Sequence, residues 1–75
     1  MKPRIQLSKE KRDLLINKLK EFFLNERDQE IGDLAAALIL DFIIENIAPA
    51  FYNQGIQDCI AFMKDKMEDL YGLEI

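Results

Sequence analysis

The apolar positions of this chain concentrate in its middle, where residues 31–51 read IGDLAAALILDFIIENIAPAF. The composition predicts a helix, but its apolar side chains fall on nearly every side rather than on one stripe. Ile39 and Ile43 lie roughly opposite Leu34 and Leu38 on this helix. Because no single neighbouring helix can cover both sides, the pattern predicts burial against a second copy of the chain or another partner.

Two further helices are predicted, one on either side of this central helix. Before it, apolar residues spaced by three and four predict a helix at about 9–25, with Ser8 as its N-cap. After it, Pro49 ends the central helix at about 30–47 and opens a third helix at about 50–71. The apolar positions of the first helix are Leu15, Ile16, Leu19, Phe22 and Phe23, and those of the third are Tyr52, Ile56, Cys59 or Ile60, Met63, Met67 and Leu70.

The N-terminal residues 1–7 alternate between polar and apolar side chains. Ile5 and Leu7 fall on one side and Arg4 and Gln6 on the other, which predicts a short extended arm. Such a segment is too short to be stable as an unpaired strand.

The length and the cysteine content narrow the ways in which this fold can be stabilised. A chain of 75 residues forms one domain, here residues 1–75, and a domain this small is marginally stable without a disulfide, a metal or oligomerisation. Cys59 is the only cysteine and histidine is absent, so no internal disulfide, metal site or cofactor is predicted. The sequence therefore predicts an all-α, three-helix domain with an N-terminal arm, packed as a homodimeric helical bundle. The residues predicted at the dimer or partner interface are Leu38, Ile39, Phe42, Ile43 and Ile47.

No targeting or membrane-spanning segment is predicted. The polar N-terminus lacks the apolar core of a signal peptide. The apolar run 34–44 contains Asp41 and is shorter than the about 20 residues that cross a bilayer. We therefore expect a cytoplasmic protein without a membrane partner.

The net charge of −4 hides a division between the two parts of the chain. Residues 1–27 hold eight basic and four acidic side chains, a balance of +4, whereas residues 28–75 hold two basic and ten acidic side chains, a balance of −8. Ends of opposite charge can steer two copies into a head-to-tail or antiparallel register. The acidic total argues against nucleic acid as the main partner.

Asp41 and Glu45 are the ionisable residues within the apolar helix, and they share one face because they are four residues apart. We interpret them as a narrow water-facing stripe. A salt bridge from Asp41 or Glu45 to Arg12 or Lys20 is the first alternative. A divalent metal held by both carboxylates is the second, although metal-assisted catalysis usually needs further ligands and positioned donors.

Aromatic and amide side chains cluster in the segment FYNQG, which makes it a candidate ligand-binding or partner-binding corner. In the structural interpretation, the two aromatic residues close the core beneath a turn and the amides face water or bond the turn backbone. The glycine would allow close backbone approach, and Cys59, without a histidine to activate it, would be a small core residue. The residues of this corner are Phe51, Tyr52, Asn53, Gln54 and Gly55.

The basic N-terminal third of the sequence indicates a different function, DNA binding. An N-terminal strand carrying Arg4 and Gln6, followed by a helix, resembles the ribbon-helix-helix arrangement, in which paired strands enter a DNA groove. The long first helix, the third helix and the acidic remainder argue against this interpretation.

Three segments, which together cover nearly the whole chain, are distinctive: LSKEKRDLLINKLKEFF, LILDFIIENIAPAFYNQG and MEDLYGLE. They resemble a small bacterial family known as domain of unknown function 2164. The resemblance implies a compact bacterial helical protein and implies no reaction, ligand or catalytic residue. The sequence thus favours a non-enzymatic helical assembly or protein-interaction module, with a DNA-binding regulator as the alternative and a small acid-dependent metal enzyme third.

Overall fold

The computed structural model describes residues 5–74, which form three helices and no strand. The helices are α1 (Lys9–Arg27), α2 (Asp33–Asn46) and α3 (Ala48–Tyr71). The prediction of an all-α chain of three helices is confirmed. The predicted boundaries differ by no more than three residues, the largest difference being at the start of α2.

Helix α1 has defined caps at both ends. The Ser8 Oγ accepts a hydrogen bond from the amide of Lys11 at 3.2 Å, which confirms Ser8 as the N-cap. At the other end, Asp28 adopts the left-handed conformation with φ 50° and ψ 39°. The amide of Gln29 then donates to the carbonyl of Phe23 at 3.0 Å, satisfying an acceptor that the helix leaves unpaired.

Helices α2 and α3 are separated by a single residue, Ile47, whose backbone departs from helical values at φ −113°. Pro49 lies in the first turn of α3 and has no amide hydrogen, so the regular hydrogen-bond ladder cannot continue through it. The axis of α3 turns by 42° from that of α2. The two helices therefore form one long, bent rod.

Helix α1 packs antiparallel on α2, and two ion pairs between the helices define the register. Arg12 Nη2 lies 2.7 Å from Asp41 Oδ1, and Lys20 Nζ lies 2.8 Å from Asp33 Oδ1. Between the two pairs, α1 advances by eight residues while α2 goes back by eight residues, as an antiparallel arrangement requires. Within the described part of the chain, the side chains that become buried all lie on one face of α2 and are Ala36, Leu40 and Ile44.

The third helix extends away from this pair. Among residues 5–74, α3 contacts α2 and makes no contact with α1. The radius of gyration is 19.0 Å, whereas a compact chain of this length has a radius of about 11 Å. The principal extents of 65 × 30 × 21 Å describe an elongated molecule.

The predicted N-terminal arm is only partly within the described residues. Residues 1–4, including Lys2 and Arg4, lie outside them. Ile5, Gln6 and Leu7 form no strand but run beside the C-terminal half of α2. The predicted N-terminal arm at residues 1–7 is therefore not confirmed.

Candidate interaction surface

One face of α2 is apolar and open to solvent. Leu34, Leu38 and Phe42 follow one another at four-residue spacing and are 75%, 61% and 58% exposed. This row, which we call the α2 stripe, lies on the side of the helix opposite Leu40, which is buried. Helix α1 covers one side of α2, so the α2 stripe is left without a neighbour.

The five predicted interface residues divide between two environments. Leu38, Phe42 and Ile47 are exposed, whereas Ile39 and Ile43 are half-buried within the chain. Sequence reasoning placed Leu34 only as the opposite side of the helix and did not include it in the interface. Its four-residue spacing from Leu38 is the signal that groups it with the open face.

Helix α3 also presents an unpartnered apolar row. Every residue from Ala50 to Glu74 is exposed, because no other helix packs along this part of the chain. The apolar positions predicted for this helix share one face, which we call the α3 seam. Its members are Tyr52, Ile56, Cys59, Ile60, Met63, Met67 and Leu70.

The prediction that Cys59 is a core residue is wrong for this chain. The thiol is free and exposed. Its position between Ile56 and Met63 gives it apolar neighbours on the same helix, but a core also requires a second element on top of them.

The remaining faces of α3 carry its charged side chains. The Lys66 ammonium lies 5.3 Å from the centroid of the Phe62 ring, a cation–π contact that sequence reasoning missed although its i,i+4 spacing signals it.

The helices can also be compared with the length and composition of a membrane span. None of the described helices is by itself both long and apolar enough to cross a membrane. Helices α2 and α3 taken together, across their bend, do have the length and composition of a span.

The segment from Phe51 to Gly55 forms the early turns of α3 and not a separate turn, so the core-closing interpretation is wrong. Phe51 is 75% exposed, and Tyr52 belongs to the α3 seam. Asn53 is exposed, and the Gln54 Nε2 donates to the Asp58 Oδ1 at 3.0 Å. Apart from its chain neighbours and the backbone of its own helix turn, no atom of residues 5–74 lies within 4 Å of the place that a Cβ would occupy at Gly55, so the expected close backbone approach does not occur there.

The two carboxylates of α2 differ in environment. Asp41 is half-buried and accepts a hydrogen bond from Arg12 at 2.7 Å, which corrects its interpretation as part of a water-facing stripe. Glu45 is exposed, as predicted. Both line a shallow open cleft with Ile5 and Leu7.

The chemistry of this cleft is limited by its composition. The guanidinium of Arg12 already neutralises Asp41, which leaves Glu45 as the second carboxylate of the pair. Within residues 5–74, no three side chains of the metal-binding types come together. The ion pair between Arg12 and Asp41 therefore joins α1 to α2.

Similarity to known proteins identifies the family of this chain. Residues 5–73 match the family model described as an uncharacterised conserved protein, DUF2164. Neither the curated proteins nor the solved structures give a significant match. Since the matched residues span nearly the whole chain, the protein belongs to the DUF2164 family of uncharacterised conserved proteins.

Proposed function

We propose that this protein is a non-enzymatic assembly module that functions as a homodimer. The main observation in support is the large solvent-accessible area of a single chain. Its accessible area is 6829 Å², whereas a compact monomer of 8.8 kDa exposes about 4800 Å². The excess of about 2000 Å² per chain lies within the range that obligate homodimers bury.

The apolar composition of the exposed surface also supports a homodimer. The α2 stripe and the α3 seam are continuous rows of large apolar side chains and not scattered single residues. Contiguous exposed apolar patches of this kind mark interaction sites, because water disfavours them in a monomer. Among residues 5–74 only three side chains are buried within one chain, so a partner would supply most of the core.

The distribution of charge favours a second copy of the same chain as the partner. The basic start of α1 lies beside the C-terminal half of α2, as the contact between Arg12 and Asp41 demonstrates. The acidic side chains Asp65, Glu68 and Asp69 lie near the far end of α3. The basic start of α1 thus lies near the junction of α2 and α3, so two copies that run in opposite directions along α3 bring the acidic end of one toward the basic start of α1 in the other.

The experiment is a measurement of mass by light scattering on protein eluting from a size-exclusion column. We expect twice the chain mass of 8.8 kDa at micromolar concentration. A monodisperse monomer with full helical content would overturn the proposal.

A matched pair of variants tests whether the α2 stripe takes part. Leu38→Gln removes an exposed apolar side chain from the stripe, and Lys18→Gln changes an exposed position on α1 outside it. In a monomer both changes are nearly neutral, because surface substitutions usually alter stability by less than about 0.5 kcal/mol. In the proposed dimer, Leu38→Gln shifts the eluting mass toward the monomer and Lys18→Gln does not.

A further inference from the structure

We propose that the α3 seam binds the α3 seam of a second copy in antiparallel orientation, in the register that places Cys59 beside Ile60 of the partner subunit. This inference rests on the proposed dimer and identifies the surfaces that form it. Three properties of α3 support it: the symmetric spacing of its apolar residues, the distribution of its charged residues, and the absence of stabilising charges at its two ends.

The apolar residues of α3 are spaced symmetrically about one point, so their pattern is the same when the helix is followed from either end. Tyr52 and Met67 lie at equal distances from the point between Cys59 and Ile60, and so do Ile56 and Met63. Pro49 and Leu70 form the next pair outward. An antiparallel pair related by a two-fold axis requires this symmetry, because each side chain must meet the position that mirrors its own. In this register every seam residue faces an apolar residue, with Pro49 closing each end.

The charges of α3 disfavour the parallel alternative. Residues 48–57 carry no ionisable side chain except Tyr52, whereas residues 58–74 hold five acidic and two basic side chains. Parallel pairing would place the two acidic halves side by side, and like charges at this distance repel. Antiparallel pairing places the charged half of each helix along the uncharged half of the other. Asp65, Glu68 and Asp69 of one copy then lie at the levels of positions 54, 51 and 50 of the other, where no side chain is charged.

The ends of α3 lack the charges that usually stabilise a helix. The N-cap position Ile47 provides no side-chain hydrogen bond, the first turn has no acidic residue and the last turn has no basic residue. Acidic side chains near a helix N-terminus stabilise it through the helix dipole. In the proposed register, Glu68 and Asp69 of one copy lie at the level of the first turns of α3 in the other, on faces outside the seam. The helix dipole favours this placement over the parallel one, in which the acidic residues of both copies lie at the negative ends of both helices.

The same register joins the α3 seam to the α2 stripe. Beyond Leu70, the exposed side chains Tyr71 and Leu73 extend past the start of α3 in the second copy. They reach the level of Ala48 and Asn46 on the bent rod, next to the exposed Ile47 and Phe42. The contact along the α3 seam therefore continues onto the C-terminal end of α2, and Leu34 and Leu38 lie beyond it.

The test uses pairs of single cysteines introduced into a Cys59→Ser chain. In the proposed register, position 56 faces position 63 of the partner, and neighbouring helix axes lie about 8–10 Å apart. Two copies of position 56 are offset by about 10 Å along the axis, too far for a disulfide. We therefore expect a covalent dimer when the Ile56→Cys and Met63→Cys chains are mixed and oxidised, and none from either chain alone.

The control and the other outcomes separate this inference from the proposed dimer. Ala61 lies on the face of α3 opposite the seam, so Ala61→Cys mixed with Met63→Cys should give no covalent dimer. Cross-linking of Ile56→Cys with itself would establish parallel pairing and overturn the register. A light-scattering mass of two chains without cross-linking in any mixture would overturn the pairing of α3 and leave the dimer standing. A mass of one chain for the unmixed Cys59→Ser protein would overturn both.

Discussion

The Arg12 Nη2 donates a hydrogen bond to the Asp41 Oδ1 at 2.7 Å, joining residues that are 29 positions apart in the chain. The Arg12 side chain is 34% exposed and that of Asp41 is 48% exposed, so the pair lies at the margin of the contact between α1 and α2. It connects the basic first third of the sequence to the apolar helix. Together with Lys20 and Asp33, it fixes the antiparallel register of the two helices.

Breaking the pair between Arg12 and Asp41 should lower stability by a small amount. We expect Arg12→Gln and Asp41→Asn each to reduce the free energy of unfolding by about 1 kcal/mol, with a coupling energy of about 0.5–1 kcal/mol, because half-exposed ion pairs are screened by water. Urea denaturation of the two single variants and the double variant measures this coupling.

Its matched control is the pair of Lys20 and Asp33, in which the Asp33 side chain is 82% exposed. Lys20→Gln and Asp33→Asn should show a smaller coupling energy. A loss of about 3–5 kcal/mol for Asp41→Asn would contradict the expectation and indicate that assembly buries the pair.

The sequence predicted the three helices because their boundaries depend on local chemistry. Ser8 caps α1 through its own hydroxyl, and Pro49 interrupts the ladder through its own missing amide hydrogen. The expected environment of Cys59 was wrong because burial depends on a second element, and among residues 5–74 no other helix packs over this part of α3. The partnership of Arg12 with Asp41 stayed one of several alternatives, since the register between helices is a tertiary property.

The sequence also gave no signal for the turn that ends α1. A left-handed residue at a helix C-terminus is usually glycine, and here it is Asp28 with φ 50°. Replacing Asp28 by glycine should raise the free energy of unfolding by about 0.5–1 kcal/mol, because glycine adopts this conformation without steric cost. Thermal denaturation followed by circular dichroism measures the change. Asp28→Ala should lower stability, and a gain for both variants would contradict the explanation.

Gly55 tests whether anything approaches the early part of α3. Within the chain a Cβ at this position meets open space, and glycine in a helix costs about 1 kcal/mol relative to alanine. Gly55→Ala should therefore raise the melting temperature without changing the eluting mass. In the proposed register Gly55 lies beside the seam and not within it. A lower melting temperature, with conversion to monomer, would show that the backbone of a partner contacts this position and that the register is different.

The melting temperature should depend on protein concentration if folding and dimerisation are coupled. A tenfold increase in concentration favours the folded dimer by about 1.4 kcal/mol. With an unfolding entropy of about 2.1 cal/mol/K per residue over two chains of 75 residues, this corresponds to a rise of about 4 °C. Circular dichroism at concentrations from about one to a hundred micromolar measures the slope. Leu38→Gln should melt at a lower temperature and keep the slope, because the weakened dimer still unfolds into two chains. A melting temperature that stays constant across this range would mean that one chain folds alone, and the exposed surfaces of α2 and α3 would then need another explanation.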